Sequence, residues 1–360
     1  MGAGGAARTL LNIINNLDRT KFSPILVTLD YNGDYEKDLK SDVPLIKLNT
    51  KRLKKSIFPL AKVIRKEKVD IVFSTIPNYN TIAILANLIS FTMAKNIVRE
   101  ADNLGGSFST NIKLLSYGLL YKLSSQIVSL SEGVKENLVK RYKIKAKNIK
   151  VVYNPVDLNS IKQKVNNGSI ASEHLHLFEG DEKVIITAGR LVKQKDHETL
   201  LNAFAQVNRQ VKSKLVILGE GPLKDTLIKQ AEKLNIREKV FFIGFQSNPY
   251  VYFKHADLFV LTSIHEGFSH VVAEALATGV PVVSTDCKSG PAEVLDNGKY
   301  GLLCRVGDQQ EIAEKMYEVL IFDRNQVHEV INNGYKRAEY FDAGKIVKDY
   351  EAIFLLTLND

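Results

Sequence analysis

The chain has 360 residues, 45% hydrophobic and 25% charged, which excludes a disordered chain, a collagen-like repeat and a disulfide scaffold. Its length argues for two domains, because single cores rarely grow past roughly 250–300 residues. The net charge of +9 is uneven: residues 1–165 hold 27 Lys/Arg against 13 Asp/Glu, whereas residues 166–360 hold 22 against 27.

The basic half favours an anionic partner such as nucleic acid, anionic lipid or a phosphorylated substrate, against the plainer reading of a solvated lysine-rich surface. Cys287 and Cys304 are too few for a disulfide framework or a zinc cluster and read as buried thiols of a reducing compartment. No run of about 18 apolar residues is present to span a membrane, and the N-terminus does not read as a signal peptide. A cytoplasmic protein, peripheral on the inner face of the plasma membrane, is expected.

The chain opens on Gly2-Ala3-Gly4-Gly5-Ala6-Ala7 and passes directly into a helical pattern over 10–17. Such a glycine turn normally caps a strand. A first strand is therefore expected to be missing, with the natural start upstream of Met1, or with Met1 internal, or with the strand truly absent. Gly2-x-Gly4-x-x-Ala7, with Asp30 closing the next strand, formally fits a dinucleotide fingerprint and so an NAD-dependent oxidoreductase, a reading weakened by the absent strand. More loosely, bare amides at a helix N-terminus can approach a phosphate or a sugar.

Strands are expected over 24–30, 43–48, 70–74, 96–99, 126–130 and 150–153, then over 183–188, 214–218, 240–243, 258–261 and 280–284. Helical patterns lie between them, which predicts α/β architecture with parallel sheets: two doubly wound, Rossmann-like domains joined by a short linker. The polar stretch 162–180, with Asn166-Asn167-Gly168-Ser169, is the linker candidate. Domains of 1–165 and 166–340 follow, with 341–360 as a terminal helix packing back toward the first domain.

Several strand ends carry chemistry. Gly189-Arg190 through Lys195 follows the strand at 183–188, and Arg190 by a fork and Lys195 as a point charge can clamp a diphosphate. Gly219-Glu220-Gly221-Pro222 and Ser289-Gly290-Pro291 are further glycine turns at strand ends. The strongest signal is His265-Glu266-Gly267-Phe268-Ser269-His270, with a helix starting near Phe268 and Glu274 eight residues beyond Glu266. Just over two turns separate the carboxylates, so both can face one crevice and accept vicinal sugar hydroxyls.

GRLVKQKD, LVILGEGPL, FFIGF, HADLFVLTS, EGFSHVVAEALATGVPVVSTD and SGPAEVLDNGKYGLL, with GAGGAARTLLNIINNL and VYNPVD at 152–157, resemble the retaining glycosyltransferases of the GT4 type, which have a GT-B fold. The resemblance spans essentially the whole chain. It implies Glu266 on the donor sugar, Glu274 on the nucleotide ribose, and Arg190 and Lys195 on the diphosphate. Gly4 and Gly5 would line the donor pocket from the first domain, and Gly189, Gly219, Gly267, Phe268 and Ser269 from the second. Many relatives carry a first-domain histidine on the sugar; here Arg99-Glu100-Ala101-Asp102-Asn103 has none, so Asp102 or Asn103 takes its place. His270 stands where many relatives have Asn, which bears on donor choice.

The implied reaction moves a hexose or N-acetylhexosamine from a nucleotide sugar, UDP-linked, to a lipid-linked or glycan acceptor in surface-polysaccharide synthesis. Retention by same-face attack is implied, with the departing phosphate taking the acceptor proton. No Asp-x-Asp occurs, in keeping with metal-independent departure. For a membrane face the candidates are Lys51, Arg52, Lys54 and Lys55, beside an apolar run, and the stretch 112–123 with Lys113, Lys122, Tyr117 and Tyr121. Nucleic-acid binding lacks any supporting motif. A nucleotide-sugar 2-epimerase and a non-catalytic nucleotide-sugar-binding protein are the alternatives, and the oligomeric state is not legible.

Overall fold

Apolar β-branched runs fold as parallel strands and the amphipathic segments between them as helices, in two separate units. The computed structural model describes residues 5–29, 36–101, 103–105 and 107–359. One unit comprises Met1–Pro155 with Asp342–Asp360, the other Val156–Phe341.

The first unit begins with α1 (Gly5–Asn16), β1 (Leu26–Thr28), β2 (Leu45–Lys47) and α2 (Ile57–Lys66). It continues through β3 (Ile71–Thr75), α3 (Pro77–Ser90), β4 (Lys95–Glu100), α4 (Phe108–Tyr121), β5 (Gln126–Ser129), α5 (Glu132–Lys140) and β6 (Ile149–Val151). Its strands form two parallel sheets, β1-β2 and β3-β4-β5-β6. Alternation along β4 assigns its two faces. Ile97 packs with Ile13 of α1 and with the C-terminal helix, while Val98 packs with Ile84 of α3 and Leu114 of α4.

Two buried polar residues continue this alternation at the end of β4. Arg99 donates to Tyr350 Oη of the C-terminal helix at 3.0 Å, to Thr75 Oγ1 at 2.9 Å and to Asn154 Oδ1. Glu100 faces the other way and accepts from Tyr121 Oη at 3.0 Å and Tyr142 Oη at 3.1 Å. Buried charges persist only when hydrogen-bonded, and both of these are.

The second unit runs α6 (Leu158–Asn167), β7 (Lys183–Ala188), α7 (His197–Val207), β8 (Ser213–Leu218), α8 (Lys224–Lys233), β9 (Val240–Gly244) and α9 (Tyr250–Lys254). Then follow β10 (Leu258–Leu261), α10 (His270–Thr278), β11 (Val282–Thr285), α11 (Pro291–Val294), β12 (Leu302–Cys304), α12 (Gln309–Leu320) and α13 (Arg324–Ala338). The chain ends in α14 (Ala343–Asn359), whose Ile346, Tyr350, Ile353 and Phe354 pack in the first unit. The six parallel strands of the second sheet take the order β12-β11-β10-β7-β8-β9. Its core joins α7, α8 and α12 to one face of the sheet through Phe204, Leu227 and Met316.

The linker expected over 162–180 is instead largely helical. Asp157 caps α6 by accepting from Ser160 N at 2.9 Å, Ile161 is buried, and the helix packs against α9 and α10. Gly168 is simply its C-cap, so the seam falls before the helix rather than after it. Both cysteines are buried and free. Among the described residues, no helix is long and apolar enough to cross a membrane.

Candidate active site

Strand order reverses at β7, whose neighbours are β8 on one side and β10 on the other. Loops leaving these strands diverge there, opening the crevice in which doubly wound sheets take ligands. The segments after β7 and β10 are those carrying Arg190, Lys195 and Glu266.

Three contacts zip the two loops together. Ile264 N donates to Gln194 O at 2.8 Å, Gln194 Nε2 donates to His265 O at 2.9 Å, and Thr262 Oγ1 donates to the Lys195 carbonyl at 3.0 Å. This registration brings Lys195 Nζ to 2.5 Å from Glu266 Oε1, and Ser263 Oγ donates to the same oxygen at 2.7 Å. The two charged side chains are 16% and 11% exposed. Glu266 Oε2 has no hydrogen-bond partner among the described residues. One oxygen of the carboxylate is thus fixed and the other left to accept a donor.

The first turn of α10 adds amides. Ser269, at φ +69°, is its N-cap and supplies no capping hydrogen bond; the first amides of a helix have no intrahelical partner. Ser269 Oγ is buried without a hydrogen-bond partner among the described residues. Phe268 is buried behind this turn, 5.1 Å from the ring of Phe341. Gly290 passes so close that a Cβ there would lie 2.7 Å from the Phe268 carbonyl carbon. One face of α10 buries Glu274, which accepts from Tyr250 Oη at 3.2 Å.

The glycines after β7 and β8 let these turns meet. A Cβ on Gly219, at φ +126°, would stand 2.0 Å from Gly189 O. One on Gly189 would press on Lys195 Cε at 3.2 Å. Beyond the lysine, burial and the Lys195 charge push His197 down to about 4, so it is neutral at physiological pH. Burial and the Glu266 charge push the Cys287 thiol up to about 12, which makes it a poor nucleophile.

The remaining candidates are placed as follows. Arg190 is exposed on the β7 loop and its side chain has no partner among the described residues. Gly267 lies in the turn before α10, and His270 opens that helix, two residues later than the start expected near Phe268. Gly5 is the first residue of α1, and Asn103 donates to Gly133 O at 3.4 Å. Lys51, Arg52, Lys54 and Lys55 are exposed around the start of α2. Gly4, Asp30 and Asp102 lie outside the described residues. Among those described, no three His, Cys, Asp or Glu side chains converge to hold a metal.

Sequence reasoning missed Ser263, Gln194 and Tyr250. Ser263 had a readable signal, a polar Thr262-Ser263 pair directly after an apolar strand. Tyr250 had none, because its partner lies on a different helix 24 residues away.

The family model described as Glycosyl transferases group 1 matches residues 172–337, and that of Glycosyltransferase Family 4 matches residues 3–160. A Campylobacter jejuni relative is 32% identical over 97% of this chain and 95% of its own length. It is N-acetylgalactosamine-N,N'-diacetylbacillosaminyl-diphospho-undecaprenol 4-alpha-N-acetylgalactosaminyltransferase. The capsular polysaccharide biosynthesis glycosyltransferase CapM of Staphylococcus aureus is 27% identical over 81% of this chain and 78% of its own length. Among solved structures, Anabaena HepE in complex with UDP and glucose superposes with a TM-score of 0.82 at 20% identity, covering 97% of this chain and 95% of HepE.

Proposed function

This chain belongs to the family 4 glycosyltransferases of the GT-B fold, and from that premise we propose a specific transfer. A hexose or N-acetylhexosamine moves from a nucleotide sugar, UDP-linked, to a lipid-linked or glycan acceptor in cell-surface polysaccharide synthesis. The observation that carries this is the Lys195–Glu266–Ser263 cluster at the switch point of the second sheet, beside the open N-terminus of α10.

Breaking the bond between sugar and diphosphate builds negative charge on the leaving group, so fixed positive groups at that place lower the barrier. Lys195 and Arg190 take the diphosphate, helped by the α10 amides and Ser269, and no metal is required. Glu266 accepts a hydroxyl of the transferred sugar on Oε2, and Glu274, held by Tyr250, accepts the ribose hydroxyls. Gly189, Gly219 and Gly267 admit the donor close to the backbone, and Phe268 backs the turn. His270 bears on the choice of sugar. The first unit takes the acceptor.

The acceptor hydroxyl attacks the anomeric carbon on the face the diphosphate leaves. Its proton passes to the departing phosphate oxygen, and configuration is retained. The products are the glycosylated acceptor and a nucleoside diphosphate. The name of the Campylobacter relative specifies transfer onto a diphospho-undecaprenol-linked sugar, which supports a lipid-diphosphate acceptor here. Lys51, Arg52, Lys54 and Lys55 would then face the inner leaflet of the plasma membrane.

Thermal unfolding with a series of UDP- and GDP-sugars tests the donor assignment. UDP-sugars are expected to raise the melting temperature of the wild type and not of Glu274→Ala. Equal stabilisation of that variant would overturn the ribose assignment.

A further inference from the structure

Buried hydroxyls hold the Lys195–Glu266 pair in place. Thr262, Ser263 and Thr285 are each 2% exposed or less. Strands β10 and β11 pair up to Leu261 and Ser284, and the pairing resumes at His265 and Lys288, where Glu266 N donates to Lys288 O at 3.3 Å. Between those two points the ladder opens. Asp286 N turns away and donates to Cys304 O of β12 at 2.7 Å. A buried carbonyl still requires a donor. Thr285 Oγ1 supplies one, donating to Ser263 O at 2.7 Å.

The opened segment serves both partners of the pair. Thr262 Oγ1 donates to the carbonyls of Lys195 and Asp196, both at 3.0 Å. Ser263 Oγ donates instead to Glu266 Oε1 at 2.7 Å. A hydroxyl carries one proton, and that of Ser263 goes to the same oxygen that accepts from Lys195. The last torsion of a glutamate side chain is soft, so two donors on one oxygen fix the direction of the other. With Ser263 displaced, the carboxylate would turn both oxygens to the ammonium, and Oε2 would no longer be open to a sugar.

We propose that Thr285 is a positioning residue for the transfer. It acts through the Ser263 carbonyl, holding the Ser263 hydroxyl on Glu266 Oε1 so that Oε2 stays open to a hydroxyl of the transferred sugar. The contacts run from Thr285 to Ser263 to Glu266 and bypass Arg190 and the α10 amides. Thr285 therefore bears on the sugar and not on the nucleotide. This deepens the donor reading and rests on it, specifically on Glu266 as the sugar contact.

Calorimetric titration with UDP, UDP-N-acetylglucosamine and UDP-N-acetylgalactosamine tests the role. The wild type is expected to bind at least one sugar nucleotide more tightly than UDP. Thr285→Val keeps the shape and removes the hydroxyl. It is expected to lose about tenfold in affinity for that sugar nucleotide, as for a lost hydrogen bond to a charged group, with UDP affinity unchanged. Thr285→Ser restores the wild-type values. Ser263→Ala shows the same selective loss, and Thr285→Val adds nothing to it, because both act on one carboxylate. Thr278→Val, which removes a buried hydroxyl from the far end of α10, changes neither affinity. Unchanged sugar-nucleotide affinity in Thr285→Val or Ser263→Ala, a loss shared equally by UDP, or no rescue by serine would each overturn the proposal. A wild-type preference that Glu266→Gln abolishes but Thr285→Val keeps would overturn it alone. No preference in the wild type would overturn the Glu266 assignment with it.

Discussion

Replacing Glu266 with Gln removes one charge from the pair at the switch point and keeps its shape. The charged atoms stand 2.5 Å apart on largely buried side chains. At an effective dielectric of about 20 their attraction is about 7 kcal/mol. Desolvating two ions cancels most of this, so the intact pair contributes little net stability. In the variant the attraction is gone but the desolvation of Lys195 remains. The Gln carbonyl still accepts from Lys195 and Ser263, which places the loss near the lower end for broken buried pairs, about 3 kcal/mol. A diphosphate supplies the missing negative charge, so UDP is expected to bind Glu266→Gln about tenfold more tightly than the wild type, a gain of about 1.4 kcal/mol. Transfer is expected to fall on the order of 100-fold if Glu266 holds the sugar as proposed, since an oriented group there is then lost. Urea unfolding with and without UDP, together with calorimetric titration, reads both effects. Unchanged stability with equal UDP affinity in the two proteins would refute the sharing of Lys195 between Glu266 and a phosphate.

Three further outcomes follow from geometry elsewhere. His197 is held near 4 in the folded chain against about 6.5 unfolded, so the unfolded state takes up the proton first; stability is expected to be lost as pH falls from about 6.5 to 4, by on the order of 3 kcal/mol. Urea unfolding across that range should show the acid limb in the wild type and a flatter one in His197→Leu. Gly219→Ala places a methyl against Gly189 O at a left-handed φ, and is expected to cost about 2 kcal/mol or more and to weaken UDP binding; unchanged unfolding and titration curves would contradict this. Tyr350→Phe removes an acceptor from buried Arg99 and is expected to cost about 1.5–3 kcal/mol in urea unfolding, while UDP binding by the second unit stays unchanged.

Strand positions were legible because buried parallel strands are short β-branched runs, and β7 falls at the residues its sequence indicates. The domain seam was not. Asn166-Asn167-Gly168-Ser169 carries turn chemistry, yet a helix C-cap uses the same residues as a linker, and only the packing of α6 on α9 and α10 distinguishes them. Lys195 and Glu266 could each be placed at a strand end, but their contact spans 71 residues and depends on the loop zipper through Gln194. The outward side of α4 was misjudged for a similar reason. Tyr117 and Tyr121 look amphipathic and surface-seeking, but Asn78 and Glu100 give their hydroxyls partners inside, so the aliphatic residues are left outside.

The most direct test of the transfer itself is mass spectrometry of a polyprenyl-diphosphate-linked sugar incubated with the protein and UDP-N-acetylhexosamine. The acceptor should gain one sugar as one UDP is released, with EDTA making no difference and Glu266→Gln abolishing most of the product. Donor epimerised in the absence of acceptor, or UDP-sugar bound but never transferred to any lipid-linked or glycan acceptor, would contradict it.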